Sequence, residues 1–505
     1  MVAVFNFGGQ YAHLIARRVR ELGVKSELVS PEIKPADLAR LKPQALIFSG
    51  SPFSAYEKNA PKADPRVYKL DLPILGICYG HQLLAHQLGG KVAPKTKKQF
   101  GKEAVEVGKS PLFAGLAKQQ IVWFSHGDQV EKMPGDFEVI GSTPNAKVAA
   151  MQNLKKGFFG IQFHPEVTHT PNGAKIISNF LFKISKAKRD WDLGKIKKEI
   201  VKKIKEKIKN EKVIMAISGG VDSLVAAVLL KEAGINLYLT FIDHGLLRKD
   251  ENAQVEDIVK TVGFGNFRRV DASADFLRVL KRVVDPEKKR KIIAKLYFEI
   301  FEKEAAIIGD VVFLAQGTIY PDRIESAKTS KHADKIKSHH NVTLPHGLKL
   351  KIIEPLADLY KDEVRKLGRI LKIPEKFLNR HPFPGPGLAI RILGEVTKDR
   401  LEILRQVDEI FISELKSNNI YKEVNQAFAA LLPVKSVGVM GDARTYSYII
   451  ALRSVDTQDF MTADWSKISH QVLERISSRI VNEVRGVNRV VYDITQKPPA
   501  TIEYE

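Results

Sequence analysis

The sequence is almost devoid of cysteine: Cys78 is the only one among 505 residues. A single thiol excludes any disulfide within the chain and is typical of the reducing cytoplasm. No apolar run approaches the roughly 18 residues that a helix needs to span a bilayer. The short apolar run at the start has no basic segment before it, so we predict no signal peptide. We therefore expect a soluble, cytoplasmic protein without a membrane partner.

Acidic residues are also under-represented. The chain has 58 Asp and Glu against 80 Lys and Arg, which gives a formal net charge of +22. A cationic surface attracts polyanions, which could be nucleic acids or small phosphorylated substrates. A lysine-rich surface that only keeps the protein in solution would give the same count. Net charge alone does not distinguish these alternatives, so the distinction depends on the sequence motifs.

The sequence has no internal repeat and no low-complexity tract, and β-like runs alternate with helical ones. This alternation predicts parallel sheets in α/β domains. The predicted strands are Val2–Phe7, Ala45–Ser49, Ile74–Cys78, Val213–Ile217, Leu237–Asp243 and Val311–Ala315.

Two segments are candidate domain boundaries. Residues 191–212 are strongly basic, with an apolar stripe at helical spacing: Leu193, Ile196, Ile200, Ile204 and Ile208. The stripe indicates a helix packed on a neighbouring domain, with a basic nucleic-acid-binding helix as the alternative.

The second candidate boundary is residues 380–387, which are too rich in proline and glycine for the interior of a helix or strand. After this segment we predict a helix over 397–418 and a strand over 489–495. We expect domains at 1–187, 213–385 and 386–505, with a helical linker at 188–212. The predicted fold is two successive open-sheet α/β domains followed by a smaller α+β domain.

Cys78 lies in the segment Gly76-Ile77-Cys78-Tyr79-Gly80, between an apolar run and a helix-like stretch. A tight strand-to-helix turn with glycines on both sides is the pattern of a nucleophile elbow, which exposes the thiol. Glycine is favoured because the turn is strained and crowded. The alternative is a buried cysteine that serves only as a small hydrophobic side chain.

A second motif, His164-Pro165-Glu166, follows the apolar stretch 157–163. The imidazole can take the proton of a thiol, and the carboxylate can hold the ring in the useful tautomer. Cys78, His164 and Glu166 are therefore candidates for a catalytic triad. The turn after a predicted strand at Gly50 and the N–H of Tyr79 are candidates for an oxyanion hole, although an ordinary turn is the alternative.

Four motifs together resemble the class I glutamine amidotransferases. In order, they are Phe7-Gly8-Gly9-Gln10-Tyr11, Ser49-Gly50-Ser51-Pro52, the elbow, and His164-Pro165-Glu166. The resemblance implies a domain that hydrolyses glutamine through a glutamyl thioester and releases ammonia. The family more often has glycine at Ser51 and methionine at His81, and neither difference touches the triad.

A glycine-rich loop, Ser218–Ser223, connects a predicted strand to a helix predicted over 224–231. Its amides and the helix dipole form a cradle for phosphate, to which the hydroxyls of Ser218 and Ser223 add donors. Asp222 would repel a bare phosphate, which suggests a Mg²⁺ bridge or a helix cap. The loop lacks the Gly-Lys-Ser/Thr ending of a Walker A motif.

This loop resembles that of the ATP pyrophosphatases, which split ATP between the α- and β-phosphates and adenylate an oxygen. Gly317 follows another predicted strand and would lie at the same sheet edge, beside the adenine, with a plain exit from strand to loop as the alternative. The resemblance implies bound ATP with Mg²⁺. The ATP-binding candidates are Ser218, Gly219, Gly220, Val221, Asp222, Ser223, Leu224 and Gly317, with Asp222 as the metal ligand.

The remaining motifs extend the resemblance over the whole chain to the family of glutamine-hydrolysing GMP synthetases. They are residues 320–326, 337–341, 380–391, 438–446 and 497–503. The resemblance implies that XMP, ATP and glutamine are the substrates and that XMP is aminated through an adenyl-XMP intermediate, with release of AMP and pyrophosphate. It also implies a homodimer formed through the C-terminal domain. The implied XMP-binding residues are Arg290, Asp442, Lys497 and Glu503.

The same resemblance implies a lid near the reacting nucleotides, formed by Asp322, Glu325, Lys337, His339 and His340. This chain has Val-Thr-Leu-Pro at 342–345, where the family has a segment one residue longer with two glycines. Fewer glycines restrict the backbone, so we infer a stiffer lid.

Two other functions remain as alternatives. An enzyme that adenylates tRNA bases would use a similar loop, and the positive charge suits RNA, but thiolation would need more cysteine. The second alternative is a regulatory binding protein with inactive sites, although every proposed catalytic residue is present. We expect no nucleic-acid partner.

Overall fold

The structure is a computed structural model that describes residues 1–326, 350–440, 442–457 and 462–505. These residues form two compact units. Unit 1 is Met1–Asp192, and unit 2 is Leu193–Ser326 together with the described residues from 350 onward. Within these ranges, no helix has both the length and the apolar composition of a membrane span.

Unit 1 is built on a nine-stranded sheet. Its strands are β1 (Val2–Phe5), β2 (Ser26–Val29), β3 (Ala45–Phe48), β4 (Ile74–Ile77), β5 (Lys91–Val107), β6 (Gln119–Lys132), β7 (Glu138–Ser142), β8 (Ala150–Asn153) and β9 (Phe158–Ile161). Across the sheet the order is β2-β1-β3-β4-β9-β8-β7-β5-β6. The first five strands in this order are parallel, and the remaining pairs are antiparallel.

Helices flank the sheet of unit 1. They are α1 (Ala12–Glu21), α2 (Pro35–Arg40), α3 (Tyr79–Gln87) and α4 (Gly173–Asn179), which continues into a π-helical turn at Phe180–Ile184. Short 3₁₀ turns occupy Pro65–Lys69 and Pro111–Phe113. Every residue of β1, β3, β4 and β9 is buried, as expected for central parallel strands covered on both faces.

Unit 2 begins with α5 (Leu193–Ile208) and a five-stranded parallel sheet. The strands are β10 (Lys212–Ala216), β11 (Asn236–Asp243), β12 (Asn266–Asp271), β13 (Val311–Ala315) and β14 (Lys351–Ile353), in the order β12-β11-β10-β13-β14. The helices are α6 (Val221–Glu232), α7 (Glu251–Val262), α8 (Ser273–Leu280), α9 (Pro286–Ile308), α10 (Tyr320–Ser326), α11 (Lys361–Ile370) and α12 (Glu375–Leu378).

The rest of unit 2 is a smaller α+β region. It contains a 3₁₀ turn (Gly387–Ile390), α13 (Lys398–Ser417), a second 3₁₀ turn (Ile420–Lys422), β15 (Gln426–Met440), β16 (Ala443–Asp456), β17 (Asp464–Trp465), α14 (His470–Glu483) and β18 (Val487–Tyr492). Strands β15 and β16 form a long antiparallel hairpin, and β18 pairs with β16 in parallel.

The predicted fold class is confirmed: two α/β sheets are followed by a small α+β region. The predicted strands are found within two residues of their expected ends, and the side chain of Thr397 caps α13 at its start. The tail strand is Val487–Tyr492 and therefore ends earlier than predicted.

The boundaries at 187, 212 and 385 stay predictions. The basic helix packs against α6 and α11 of its own unit, with Ile204 and Ile208 as its buried residues. One hydrophobic cluster contains side chains from both sides of residue 385, such as Ile214 and Leu431.

Candidate active sites

The elbow at Cys78 is a strained turn between β4 and α3. Cys78 has φ 54° and ψ −107°, outside the usual regions for a residue with a side chain. A Cβ on Gly76 would lie 2.5 Å from the carbonyl oxygen of Gly80, and one on Gly80 would lie 2.3 Å from that of Phe48. Both positions therefore require glycine because the backbone itself occupies the space.

Sheet register brings His164 to this elbow. Ile77 is paired with Ile161, so Cys78 and His164 both follow the carboxyl ends of neighbouring parallel strands. Nδ1 of His164 lies 2.7 Å from Oε1 of Glu166, and both side chains are buried. Burial by itself lowers the pKa of His164, but the Glu166 carboxylate and the Cys78 side chain outweigh it and raise that pKa to about 10.

Gly50 borders the same cleft. A Cβ on Gly50 would lie 3.4 Å from Cε1 of His164 and 3.9 Å from Cβ of Cys78. Tyr79 is the first residue of α3, so its N–H is among those that a helix cannot satisfy internally. Its hydroxyl is used elsewhere, because it donates to the carbonyl of Pro61 at 2.6 Å. Gly50 and Tyr79 thus remain the candidates for an oxyanion hole.

Strand β6 also contributes to this site, which the sequence motifs did not indicate. The thiol of Cys78 donates to the carbonyl oxygen of Ser125, with Sγ to O at 3.7 Å. The next residue, His126, is buried, and burial lowers its pKa to about 4, so its ring is neutral. Residues 125–128 are mostly polar and interrupt a strand in which buried and exposed residues alternate, and this interruption could have indicated a role in the site.

His81, where the family more often has methionine, lies in the core of unit 1. Its Nε2 lies 3.2 Å from the carbonyl oxygen of Val148, and burial lowers its pKa to about 3. Its ring packs so closely on Gly160 that a Cβ there would lie 2.4 Å from Nδ1. The ring is neutral and fills core space.

The candidate ATP loop follows β10 and is closed by its own hydroxyls. Oγ of Ser223 accepts from the N–H of Ser218 at 3.3 Å and donates to the carbonyl of Gly220 at 3.0 Å. The N–H of Gly220 donates to Oγ of Ser218 at 3.3 Å. Helix α6 begins at Val221, three residues earlier than predicted, so its first turn includes Asp222 and Ser223 as well as Leu224.

Gly317 lies directly against this loop. Met215 of β10 is paired with Ala315 of β13, which places both strand exits at one sheet edge. A Cβ on Gly317 would lie 3.0 Å from the backbone N of Ser223. The structure therefore brings together all eight ATP-binding candidates.

The two carboxylate oxygens of Asp222 have different environments. Oδ2 is bonded to Nζ of Lys361, the first residue of α11. Oδ1 is buried and has no hydrogen-bond partner within the described part of the chain. Nor do the described residues contain a cluster of three or more metal-ligating side chains. One orphaned carboxylate oxygen fits a Mg²⁺ carried mainly by ATP phosphates, because Mg²⁺ is usually held by one or two carboxylates plus substrate oxygens.

Three of the four XMP candidates lie at one end of the α+β region. Arg290 donates to the backbone carbonyl of Glu505, and Glu503 is bonded to Gln426 at the start of β15. The backbone of Lys497 pairs with Ala463, just before β17.

The fourth candidate, Asp442, lies at the opposite end of the hairpin. It follows β15 and has φ 62° in the tip of the turn. At about 3.3 Å per residue, the 15-residue strand from Gln426 to Met440 spans roughly 45 Å. Asp442 and Glu503 therefore do not meet within one chain.

The lid candidates are only partly described. Oδ2 of Asp322 accepts from the N–H of Ile319 at 3.1 Å, at the start of α10, and Glu325 belongs to the same helix. Lys337, His339, His340 and the shortened segment 342–345 lie outside the described residues. The stiffer lid stays a prediction.

Both units match known protein-family models. Residues 3–184 match the class I glutamine amidotransferase model, residues 211–301 match the tRNA methyl transferase HUP domain, and residues 413–504 match the GMP synthase C terminal domain. The matches in the two units define the class: a glutamine amidotransferase domain joined to an ATP-using HUP domain.

Full-length relatives define the family. The chain is 52% identical over 507 residues to "GMP synthase [glutamine-hydrolyzing]" of Aquifex aeolicus, which covers 100% of this chain and 99% of that protein. Proteins of the same name from Thermosipho melanesiensis and Carboxydothermus hydrogenoformans are each 52% identical with the same coverage. The chain belongs to the family of glutamine-hydrolysing GMP synthases. The family resemblance predicted from the motifs is thereby confirmed.

Proposed function

We propose that this chain converts XMP to GMP, with ATP to activate the XMP oxygen and glutamine to supply the nitrogen. The observation that carries the proposal is the 52% identity to glutamine-hydrolysing GMP synthases over the whole chain. The same identity disfavours the tRNA-modifying alternative. The proposal includes the roles of individual residues in each unit.

In unit 1, Cys78 would attack the side-chain carbonyl carbon of glutamine. The N–H groups of Gly50 and Tyr79 would stabilise the oxyanion that forms. His164, held by Glu166, would pass a proton to the departing ammonia, which leaves a glutamyl thioester on Cys78. Water, deprotonated by His164, would then release glutamate and restore the thiol.

In unit 2, the ATP loop would hold the phosphates of ATP at the N-terminus of α6. The dipole of α6 and the hydroxyls of Ser218 and Ser223 favour the negative charge there. The XMP oxygen would attack the α-phosphate and release pyrophosphate. Ammonia would then displace AMP from adenyl-XMP and leave GMP.

Mg²⁺ would be held by ATP together with the free carboxylate oxygen of Asp222. When bound, the ion would neutralise charge on the phosphates. Lys361, already bonded to the other oxygen of Asp222, supplies a second positive charge at the same place. Lys361 would therefore stabilise, together with the Mg²⁺ ion, the negative charge that develops on the departing pyrophosphate.

We further propose a homodimer formed through the C-terminal domain. The β15–β16 hairpin exposes an apolar face: Val437 is paired with Tyr446, Val439 lies on the same side of β15, and all three are exposed. Asp442 would complete the XMP site of a second copy, because it lies far from Glu503 of its own chain. Arg290, Lys497 and Glu503 would form the rest of that site.

The proposal includes a cytoplasmic location and no nucleic-acid partner. A cationic surface would raise the rate at which the protein meets XMP and ATP, since both carry negative phosphate groups. A salt-sensitive complex with tRNA, together with no turnover of XMP, would instead support a tRNA-modifying enzyme.

The proposal is tested by assaying GMP formation from XMP, ATP and Mg²⁺, with either glutamine or ammonia as nitrogen donor. We expect wild-type protein to use both donors. The Cys78→Ala variant should lose the glutamine reaction and keep the ammonia reaction at the wild-type rate, because only unit 1 needs the thiol. Loss of both reactions in a folded Cys78→Ala protein would refute the assignment of two separate sites.

A further inference from the structure

A proline-rich segment of unit 2, residues 380–391, connects the two candidate nucleotide-binding regions. We call this segment the strap. Its prolines at 382, 384 and 386 each fix one backbone torsion and so stiffen the chain. The strap is also docked: the N–H of Leu388 donates to the carbonyl of Leu246 at 2.7 Å. A Cβ on Gly387 would lie 2.3 Å from that same oxygen, so only glycine permits this contact.

The first residue of the strap holds the candidate ATP loop. Nη1 of Arg380 donates to the carbonyl of Gly219 at 2.8 Å, and Nη2 donates to Oε1 of Glu251 at 2.7 Å. Glu251 is buried at the start of α7, so it anchors the guanidinium. Gly219 itself has φ 73°.

Fixing this carbonyl also fixes the next amide. In a trans peptide the C=O and the following N–H point in opposite directions. Arg380 thus turns the N–H of Gly220 away from itself and into the loop, where it now reaches Oγ of Ser218. A phosphate at the start of α6 would meet the same N–H.

The last residue of the strap holds Glu503. Nε and Nη2 of Arg391 donate to Oε2 and Oε1 of Glu503 at 3.0 and 2.8 Å. Gln426 donates to Oε1 at 2.6 Å. A carboxylate offers about four acceptor sites, so three are used and one on Oε2 stays available for a ligand N–H. Arg391 is fully buried, with its guanidinium carbon 4.2 Å from the ring centre of Phe428.

Arg391 also keeps Glu503 charged. Burial acts to raise the pKa of the Glu503 carboxyl, but the Arg391 guanidinium outweighs it, and the pKa lies below its usual value. An ionised carboxylate can only accept hydrogen bonds. Its remaining site therefore suits an N–H or O–H of the acceptor nucleotide.

The two ends of the strap are packed together through its middle. The ring of Phe383 lies between two guanidinium groups, with the carbons of Arg248 and Arg391 each 5.2 Å from its centre. The backbone N–H of Arg248 donates to Oε2 of Glu251 at 3.3 Å, on the same carboxylate that anchors Arg380. Each end also has its own anchor, Glu251 for Arg380 and the ring of Phe428 for Arg391, which remains when the contact at the other end is lost.

We propose that the strap positions both nucleotides: Arg380 orients the ATP loop through Gly219, and Arg391 orients Glu503 toward XMP. Both arginines are positioning residues, because they act through groups that would touch the substrates. The proposal rests on the proposed function for the identity of the two ligands. It predicts that each arginine affects one nucleotide and spares the other.

The test uses the full chain with ammonia as donor, so that unit 1 does not contribute. We expect Arg380→Met to raise the KM for ATP by about tenfold or more, and the KM for XMP to stay within about twofold. Arg391→Met should raise the KM for XMP by about tenfold or more and leave the KM for ATP within about twofold. The control is Arg479→Met, which removes an arginine that also bridges two carboxylates, Glu414 and Glu483, but lies in α14 away from the strap. It should leave both constants within about twofold.

Lysine variants keep the proposal testable if the methionine variants fail to fold. Lysine retains the charge but not the two-pronged geometry, so Arg380→Lys and Arg391→Lys should show the same selectivity with a smaller shift, about threefold or more. A general loss of folding would instead lower the apparent kcat and the melting temperature and leave both KM values unchanged, because only the concentration of active enzyme falls. A parallel shift of both KM values, or unchanged KM values in folded variants, would overturn the proposal.

Calorimetric titration of each nucleotide separates this result from failure of the proposed function. Wild-type protein that makes no GMP refutes the proposed function. The role of Arg380 is then tested by the affinity for ATP with Mg²⁺ alone. An unchanged affinity in Arg380→Met would overturn that role. Wild-type protein that makes GMP, with variants of wild-type affinity for both nucleotides, refutes only the role of the strap.

Discussion

Nδ1 of His164 lies 2.7 Å from Oε1 of Glu166, and neither side chain is accessible to solvent. The carboxylate orients the ring and stabilises its charged form, so Nε2 is the nitrogen that exchanges a proton with Cys78. The carboxylate is thus the group of unit 1 that holds the histidine ready for proton transfer.

Replacement of this carboxylate by an amide tests that role. We expect Glu166→Gln to lower glutamine-driven GMP synthesis by about a hundredfold or more, because the neutral amide no longer favours the useful tautomer or the charged ring. The ammonia-driven rate should stay unchanged. The control is Glu131→Gln, which removes an exposed carboxylate of the same unit paired with Lys91 and should change neither rate. An equal loss with both donors would contradict the assignment.

The pH dependence of His164 follows from the sign of its shift. Its pKa is raised to about 10, so the folded protein holds the proton more tightly than the unfolded chain does. The resulting stabilisation is complete below about pH 6.5 and is lost as the pH rises toward 10. Histidine-selective ¹³C NMR of the full chain should show a titration midpoint near 10.

In the Glu166→Gln variant we expect a lower midpoint, because burial disfavours the charged ring and only the Cys78 side chain is left to oppose it. The His164→Gln spectrum assigns the resonance by its disappearance. A wild-type midpoint at or below 6.5 would show that the pair is not ionic.

The elbow makes a prediction about stability. Gly76→Ala places a Cβ 2.5 Å from the carbonyl oxygen of Gly80, and neither backbone can move without breaking the turn. We expect a loss of at least about 2 kcal/mol in the free energy of unfolding, measured by urea titration. Gly135→Ala is the matched control, since its Cβ would meet nothing within 4 Å. Equal stability of the two variants would show that the turn is less crowded than its geometry implies.

Lys361 and Asp222 give a prediction for the ATP loop. We expect Lys361→Met to raise the KM for ATP by about tenfold, because a charge-assisted contact near the phosphates is removed. Glutaminase activity of unit 1 should not change. Lys366→Met on the same helix breaks only an exposed pair with Asp362, so ATP kinetics should stay at wild-type values. If both variants behave alike, Lys361 has no special role at the loop.

The hairpin gives a prediction for assembly. Val439 is 74% exposed, so Val439→Asp should leave the fold intact but bury a charge in the proposed dimer contact. Sedimentation velocity should show a Kd for dimer formation at least about tenfold weaker. GMP synthesis should fall with the dimer, since Asp442 would come from the second copy.

The control for this experiment is Val284→Asp, at an exposed valine of the same unit that lies outside the hairpin. It should leave both assembly and activity unchanged. Wild-type protein that sediments as a monomer while making GMP would refute the dimer.

Local sequence predicted the elbow and the ATP loop because each depends on neighbours in the chain. Gly76 and Gly80 flank Cys78 within five residues, and the clash at Gly76 is with the nearby backbone of Gly80, although the clash at Gly80 is with Phe48 of β3. The alternation of apolar runs was enough to predict parallel sheets and thus to place Cys78 and His164 at strand ends. The start of α6 was predicted three residues late, because the polar residues of the loop also fit the first turn of a helix.

Other relationships could not be predicted in this way. Lys361 meets Asp222 across 139 residues, and Arg380 meets Gly219 across 161. Nothing near these residues in the chain indicates such partners. The carbonyl of Ser125 is a main-chain group, so its contact with Cys78 has no side-chain signature.

The sequence by itself determined the chemistry of this protein: which residues can act as nucleophile and base, which loop can cradle phosphate, and to which family the chain belongs. Such properties are set by residue type and by turns a few residues long. Only the tertiary structure decided which charges meet, that the strap reaches both the ATP loop and Glu503, and that Asp442 lies far from the other XMP candidates. Those relationships depend on the order of strands in the sheets and on the length of the hairpin, because packing alone fixes the distance between residues that are remote in the chain.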